Sequence, residues 1–169
     1  MPPDRISSSS PGNRPIASVA RWLASTPHRT FFVYPAAVVL LALALHGGRL
    51  IVNPWSAPLL FWGYLQYRFV GGYRRRSGGG GPGTDVPPVR LVTDGPYRYV
   101  RNPMYLGHLI FLLGLALTFR SWLGLALFLS HIPWFHWRVQ RDEVRLKRIF
   151  GNDYLDYMRR TPRWIPAIA

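Results

Sequence analysis

Four stretches of this sequence run for 17 to 19 positions without a charged residue: 30–48, 50–67, 102–119 and 121–137. A helix rises about 1.5 Å per residue, and a bilayer core asks for about 20 mostly apolar residues, with about 17 at the short end, so each stretch is long enough to cross. Segments 38–45 and 110–117 are apolar on every side, where a buried helix of a soluble bundle would keep a polar face. The second stretch is the most dilute, carrying Asn53, Pro54, Ser56 and Gln66. The expected fold is all-α and polytopic, with four transmembrane helices in two hairpins.

The charges give the expected orientation. The chain carries a formal net charge of +14, from 21 Lys and Arg against 7 Asp and Glu, which in a soluble domain would suggest nucleic acid. All but Arg49 and Arg120 lie before the first stretch, between the second and third, or after the fourth. By the positive-inside rule that side is cytoplasmic, and both termini lie there. The charge therefore marks a membrane face, and nucleic acid is not needed to explain it. All seven acids, Asp4, Asp85, Asp94, Asp142, Glu143, Asp153 and Asp156, fall on the same side, so any polar chemistry is cytoplasmic. The absence of cysteine excludes a thiol nucleophile, an iron–sulfur cluster, a Cys-ligated zinc and a disulfide scaffold. No metal is expected. Ala42, Leu43 and Ala44 also read as a cleavage site after a leader, but the basic run-in is long and three apolar stretches follow, so a retained span is expected.

Residues 1–27, rich in Ser and Pro with arginines interspersed, read as a disordered basic arm near anionic headgroups. A first hairpin over 28–70 is followed by a flexible cytoplasmic linker, 71–94. Its glycines 78–81 and Pro82 lack the Lys-Ser/Thr of a phosphate loop. The remainder, 95–166, holds the second hairpin and a C-terminal helix over 138–160, whose Val139, Glu143, Leu146, Phe150, Tyr154 and Tyr157 recur at helical spacing and place it at the cytoplasmic interface. Pro133 is expected to kink the fourth span. Gly107, Gly114 and Gly124 suit close helix contact.

Two constellations carry the chemistry. The first runs from Gly95 through Pro96, Tyr97, Arg98, Tyr99, Val100, Arg101, Asn102, Pro103, Met104, Tyr105 and Leu106 to Gly107. Asn102 suits an N-cap and Pro103 the first helical turn, so the third span starts there with its positive end toward the cytoplasm and Arg101 beside it, an arrangement suited to a carboxylate or phosphate. A capped helix with snorkelling arginines would look the same. The second comprises Asp142, Glu143, Leu146, Phe150, Gly151, Tyr154 and Tyr157, then Arg163, Trp164, Ile165 and Pro166. On their own, its adjacent acids among arginines read equally as ion-pair partners.

Together the strings closely resemble the signature of the isoprenylcysteine carboxyl methyltransferase and phospholipid methyltransferase group of integral membrane enzymes, over about 91–166. That group shows Gly-Pro-Tyr-Arg-Tyr-Val-Arg-His-Pro-x-Tyr-x-Gly before a membrane hairpin, then Glu-Glu-x-x-Leu-x-x-x-Phe-Gly-x-x-Tyr-x-x-Tyr and Arg-Trp-Ile-Pro after it. Asn102 replaces the usual His and Asp142 the usual first Glu. The resemblance implies S-adenosyl-L-methionine as cofactor, with Tyr97, Arg101, Asn102, Pro103, Tyr105, Gly107, Asp142 and Glu143 as cofactor-binding residues. Its carboxylate suits Arg101 and the helix N-terminus, its ammonium and sulfonium suit Glu143 and Asp142, and its adenine suits Tyr97, Tyr105 or Trp137. Asn102 and Arg163 are the catalytic candidates, Arg163 to grip an anionic acceptor. Asn cannot accept a proton, but direct displacement by a carboxylate needs no base.

The implied function is an integral membrane methyltransferase, O-methylating foremost, acting on a lipophilic acceptor at the cytoplasmic membrane face. Its partners are then the membrane and a lipid or lipophilic small molecule. Prenylated cysteine, a phospholipid amine and a small hydrophobic acid are all compatible acceptors. A nicotinamide-dependent membrane reductase of related fold and a non-catalytic membrane interaction protein on the same scaffold stay open as alternatives.

Overall fold

The structure, a computed structural model, describes residues 25–79 and 88–165, and all regular structure within them is helical. The expected basic arm and the centre of the glycine-rich linker lie largely outside those residues. Helix α1 (Thr26–Leu45) carries Pro27 in its first turn and includes one π-helical turn over Arg29–Val33. It ends at Gly47 and Gly48, whose φ of +59° and +83° suit glycine. Among the described residues it is the one helix long and apolar enough to cross a membrane by length and composition. Phe32, Leu40 and Leu45 stand 57%, 66% and 72% exposed, an apolar surface that contacts within the chain do not cover.

The second apolar stretch is not helical from its start. Asn53 caps a single 3₁₀ turn (Pro54–Ser56) by accepting from the Trp55 backbone N–H, and its own N–H donates to the Thr118 carbonyl. Helix α2 (Ala57–Gly78) follows. It runs eight residues past the hairpin boundary expected at 70, so 71–78 are helix and not flexible linker. Arg75 and Arg76 in its last turn answer the negative end of the helix dipole. The chain then returns, with the Val89 and Arg90 N–H groups donating to the Gly78 carbonyl.

A short helix, α3 (Pro96–Tyr99), leads into α4 (Pro103–Thr118), which is apolar but only 16 residues long. Helices α2 and α4 cross where both lack side chains. A Cβ on Gly63 would lie 2.5 Å from the Phe111 backbone nitrogen, one on Gly107 3.0 Å from the Gly63 carbonyl, and one on Gly114 2.7 Å from the Leu60 nitrogen. Small residues at such spacing let backbones meet, as expected for Gly107 and Gly114.

A tight turn at Arg120, with φ 45°, leads to Ser121, whose hydroxyl accepts from the Gly124 N–H and caps α5 (Trp122–Arg160). Gly124 lets α5 meet Ala116 of α4. The expected separate interfacial helix over 138–160 is continuous with the fourth apolar stretch. Backbone angles stay helical at Pro133 and depart only at Gly151 (φ 51°, ψ −124°), a conformation that a Cβ disfavours. Two apolar clusters hold the bundle. Val38, Leu112 and Leu115 form one toward the outer turns, and Tyr105, Phe135 and Val139 form the other toward the polar end.

Candidate functional site

Where α4 begins, four segments converge. Gly95 makes the approach possible: its φ is +55°, and a Cβ there would lie 2.5 Å from the ring of Tyr73 on α2. The α3 turn then presents Tyr97, whose carbonyl accepts from the Tyr157 hydroxyl at 2.7 Å. Arg101, Asn102, Met104 and Tyr105 follow on the entry to α4; Asp142, Glu143, Arg145 and Leu146 come from α5, Tyr154 and Tyr157 from beyond its break, and Arg74 from α2. All line one cleft, with Pro88, Leu91 and Val92 closing its side.

Charge organises this cleft. Glu143, 4% exposed, sits between two guanidiniums. Arg101 Nη1 lies 3.0 Å from its Oε1, while Arg163 donates to both oxygens, Nε at 3.0 Å and Nη2 at 2.7 Å. Such a fork is the strong geometry for an Arg–carboxylate pair, and it raises the Arg163 pKa, with Glu143 as its first cause. Asp142 accepts from the Tyr105 hydroxyl at 2.9 Å and pairs with Arg145 at 3.4 Å, and Arg138 Nε donates to the same Tyr105 oxygen at 3.0 Å. Burial pushes the Tyr154 hydroxyl up to about 12, with the Glu143 charge adding to it, and also raises Tyr97 and Tyr157. All three phenols are therefore neutral donors at physiological pH.

Arg101 is only 9% exposed in its side chain, and its Nε has no hydrogen-bond partner among the described residues. A buried donor left unpaired costs about 1–3 kcal/mol, more for a charged group, so this atom calls for an acceptor.

The structure gathers Tyr97, Arg101, Asn102, Tyr105, Asp142 and Glu143 around the cleft and leaves three expected residues outside its lining. Pro103 is buried in the first turn of α4, its carbonyl accepting from Gln66 Nε2 at 3.0 Å. Gly107 is spent on the crossing with α2. Arg163 is engaged by Glu143, which corrects its expected place as a free grip for an anion. Asn102 occupies the N-cap position without capping through its side chain. Its Nδ2 instead donates to the Arg163 carbonyl at 3.2 Å, while the Arg101 N–H donates to the Pro162 carbonyl at 2.9 Å, so the strap 161–165 is tied across the entry to α4. Trp137, expected as a possible adenine wall, is likewise outside the lining of this cleft and lines neighbouring cavities along α5.

Sequence reasoning gave no site role to Arg74, Tyr154 or Tyr157. The signal for Arg74 lay in α2, where buried Gly63, Val70, Arg74 and Gly78 recur at steps of seven and four and so share one face.

Residues 81–153 match the family model for phospholipid methyltransferase. That match takes in less than half of the chain. Over 80 residues the chain is 39% identical to a protein-S-isoprenylcysteine O-methyltransferase of Schizosaccharomyces pombe, covering 46% of this chain and 34% of that protein. The B form of Arabidopsis thaliana is 32% identical over 81 residues, 47% of this chain and 41% of its own. The Mus musculus protein of the same name is 33% identical over 79 residues, 46% and 28%. The chain thus matches well under half the length of these curated relatives. The matched segment holds the α3 turn, α4 and α5 as far as Asp153, which is most of the cleft wall. Arg74, Tyr154, Tyr157 and the strap come from outside it.

Proposed function

We propose that this chain is an integral membrane methyltransferase that carries a methyl group from S-adenosyl-L-methionine to a lipophilic acceptor at the cytoplasmic membrane face. The observation that carries the reading is the convergence of both sequence strings on one cleft around the buried, partly unpaired Arg101. Membrane placement is supported by α1, by the charge-free and mostly apolar α4 and by the one-sided arginines; in this reading α2 and the first half of α5 complete four spans.

The cleft residues fit the cofactor. Arg101, held by Glu143, offers its unpaired Nε to the methionyl carboxylate, next to the N-terminal end of α4. Asp142 offers a carboxylate to the ammonium, and the rings of Tyr97 and Tyr105 offer faces to adenine and sulfonium. When bound, the cofactor supplies an electrophilic methyl group. The remaining work of the chain is alignment. The strap tied through Asn102 fixes Arg101, and the Tyr157–Tyr97 bond fixes the turn before it. Asn102 cannot remove a proton, and an acceptor carboxylate needs none removed, which favours O-methylation. The similarity to proteins named protein-S-isoprenylcysteine O-methyltransferase supports an oxygen of a prenylated cysteine, which on this reading is its carboxylate, as the acceptor class.

Calorimetric titration of the detergent-solubilised protein with S-adenosylhomocysteine tests this reading. Saturable binding is expected, weakened by Arg101→Gln about 10- to 100-fold, the worth of a hydrogen bond to a charged group. No binding at sub-millimolar ligand sinks it.

A further inference from the structure

We propose that the outer side of α5, between Trp134 and Arg148, is a binding site for the phosphate headgroup of an anionic membrane lipid. The inference rests on the membrane placement of α5 above and concerns a concavity beside the cleft, with which it shares only Asp142 and Arg145. Arg138, Arg141, Arg145 and Arg148 follow at steps of three, four and three residues, which stacks them along one side of the helix. They line a concavity of about 650 Å³ closed toward the apolar half of α5 by Trp134 and Trp137. Asp142 is the one acid among the described residues lining it, so the wall is strongly positive.

The arginines are oriented. The Arg141 guanidinium lies 4.7 Å from the centre of the Trp137 ring and that of Arg138 5.5 Å from Trp134. Arg138 already gives its Nε to the Tyr105 hydroxyl, but at Arg141 the ring face holds the planar head while leaving its N–H edges to a ligand, and a phosphodiester presents two oxygens to such a fork. Arg141, Arg148, Trp137 and Val144 are exposed. On α5 as a spanning helix, the tryptophans stand at the interfacial belt and Arg138 and Arg141 follow within about one turn, at headgroup depth, with Arg145 and Arg148 continuing the same side of the helix outward. A free phosphate ion has the same oxygens but no chain to cover Trp137 and Val144, so the patch fits a lipid better.

The test reconstitutes the full chain in nanodiscs of equimolar phosphatidylcholine and phosphatidylglycerol and counts co-released lipids by native mass spectrometry. The wild type is expected to retain phosphatidylglycerol preferentially. Arg141→Gln with Arg148→Gln should lower that preference roughly 25-fold, at about fivefold per arginine. Arg159→Gln with Arg160→Gln, an equal charge loss elsewhere, should keep most of it. Circular dichroism melting confirms that the variants fold. An unchanged preference in the Arg141/Arg148 variant, an equal loss in the control pair, or displacement of the lipid by millimolar inorganic phosphate overturns the proposal. Release of the wild type from membranes by alkaline carbonate would instead sink the membrane placement itself.

Discussion

The two ends of the α4–α5 hairpin are built on different physics. At the outer end, Leu112, Leu115 and Ala116 meet Val38, Leu123 and Gly124, and helices are positioned by shape alone. At the inner end, the first turn of α4 meets the second half of α5 through Glu143, Asp142 and the arginines around them. Shape is insensitive to what binds, whereas a charge network changes when an ion enters it. The apolar end is therefore the frame and the polar end the part that responds to a ligand.

Glu143→Ala should break the inner end most severely. Removing one partner of a buried ion pair leaves the other uncompensated, at about 3–5 kcal/mol. Here Arg101 is the stranded group, since Arg163 at 29% exposure can turn to water. Thermal melting in detergent should show a large drop, with S-adenosylhomocysteine binding lost. A drop below about 1 kcal/mol would mean that the network does not hold this end.

The frame should be broken next by Gly63→Val. Its Cβ would lie within 2.8 Å of three backbone atoms of α4, and backbone cannot swing away as a side chain can. Overpacking of this kind costs about 1–3 kcal/mol, and the upper figure is expected. Gly72 on the same helix has nothing within 4 Å, so Gly72→Ala should stabilise by about 0.4–1 kcal/mol. Equal melting temperatures for the two variants would remove the argument from close approach.

The two ends were not equally legible in the sequence. Charge-free stretches locate the helices because apolar surface has few other destinations, and local strings locate Tyr97, Arg101 and Asp142 because their spacing is kept within one segment. Arg74 and the strap were hidden, since their contacts join residues tens of positions apart. A kink was expected at Pro133, where the backbone angles stay helical, and the break at Gly151 was not foreseen: proline signals a lost hydrogen bond, which a helix tolerates, while a positive φ leaves no mark except glycine itself. Gly107 sits inside the motif string, yet its missing side chain serves the α2 crossing.

The inner end should also report on pH. Tyr154 has its folded-state pKa raised from 10.0 to about 12 by burial, then by Glu143. Below pH 10 both folded and unfolded chains hold the proton and stability is complete. Between 10 and 12 the unfolded chain ionises first, so stability falls with pH, by up to about 1.4 kcal/mol per unit for one such group. Tyr154→Phe should flatten this slope without abolishing it, since Tyr97 and Tyr157 are shifted the same way. An unchanged slope would show that Tyr154 is not buried against the network.

The smallest expected effect separates the strap from the network it crosses. Asn102 contributes one hydrogen bond, to the Arg163 carbonyl, so Asn102→Ala should cost only about 1 kcal/mol. The side chain of Arg163 keeps its fork on Glu143 without it, and the Arg101 N–H still holds the Pro162 carbonyl. Melting should therefore shift slightly while S-adenosylhomocysteine affinity falls more than stability does, because Asn102 itself lines the cleft beside Arg101. Asn102→His, which restores the residue usual at this place in the resembling family, adds a proton acceptor. If the acceptor is a carboxylate, methyl transfer by this variant stays flat across the histidine titration range. A rate that rises through that range would show that a proton has to leave the acceptor, and would move the proposed chemistry from a carboxylate to an amine.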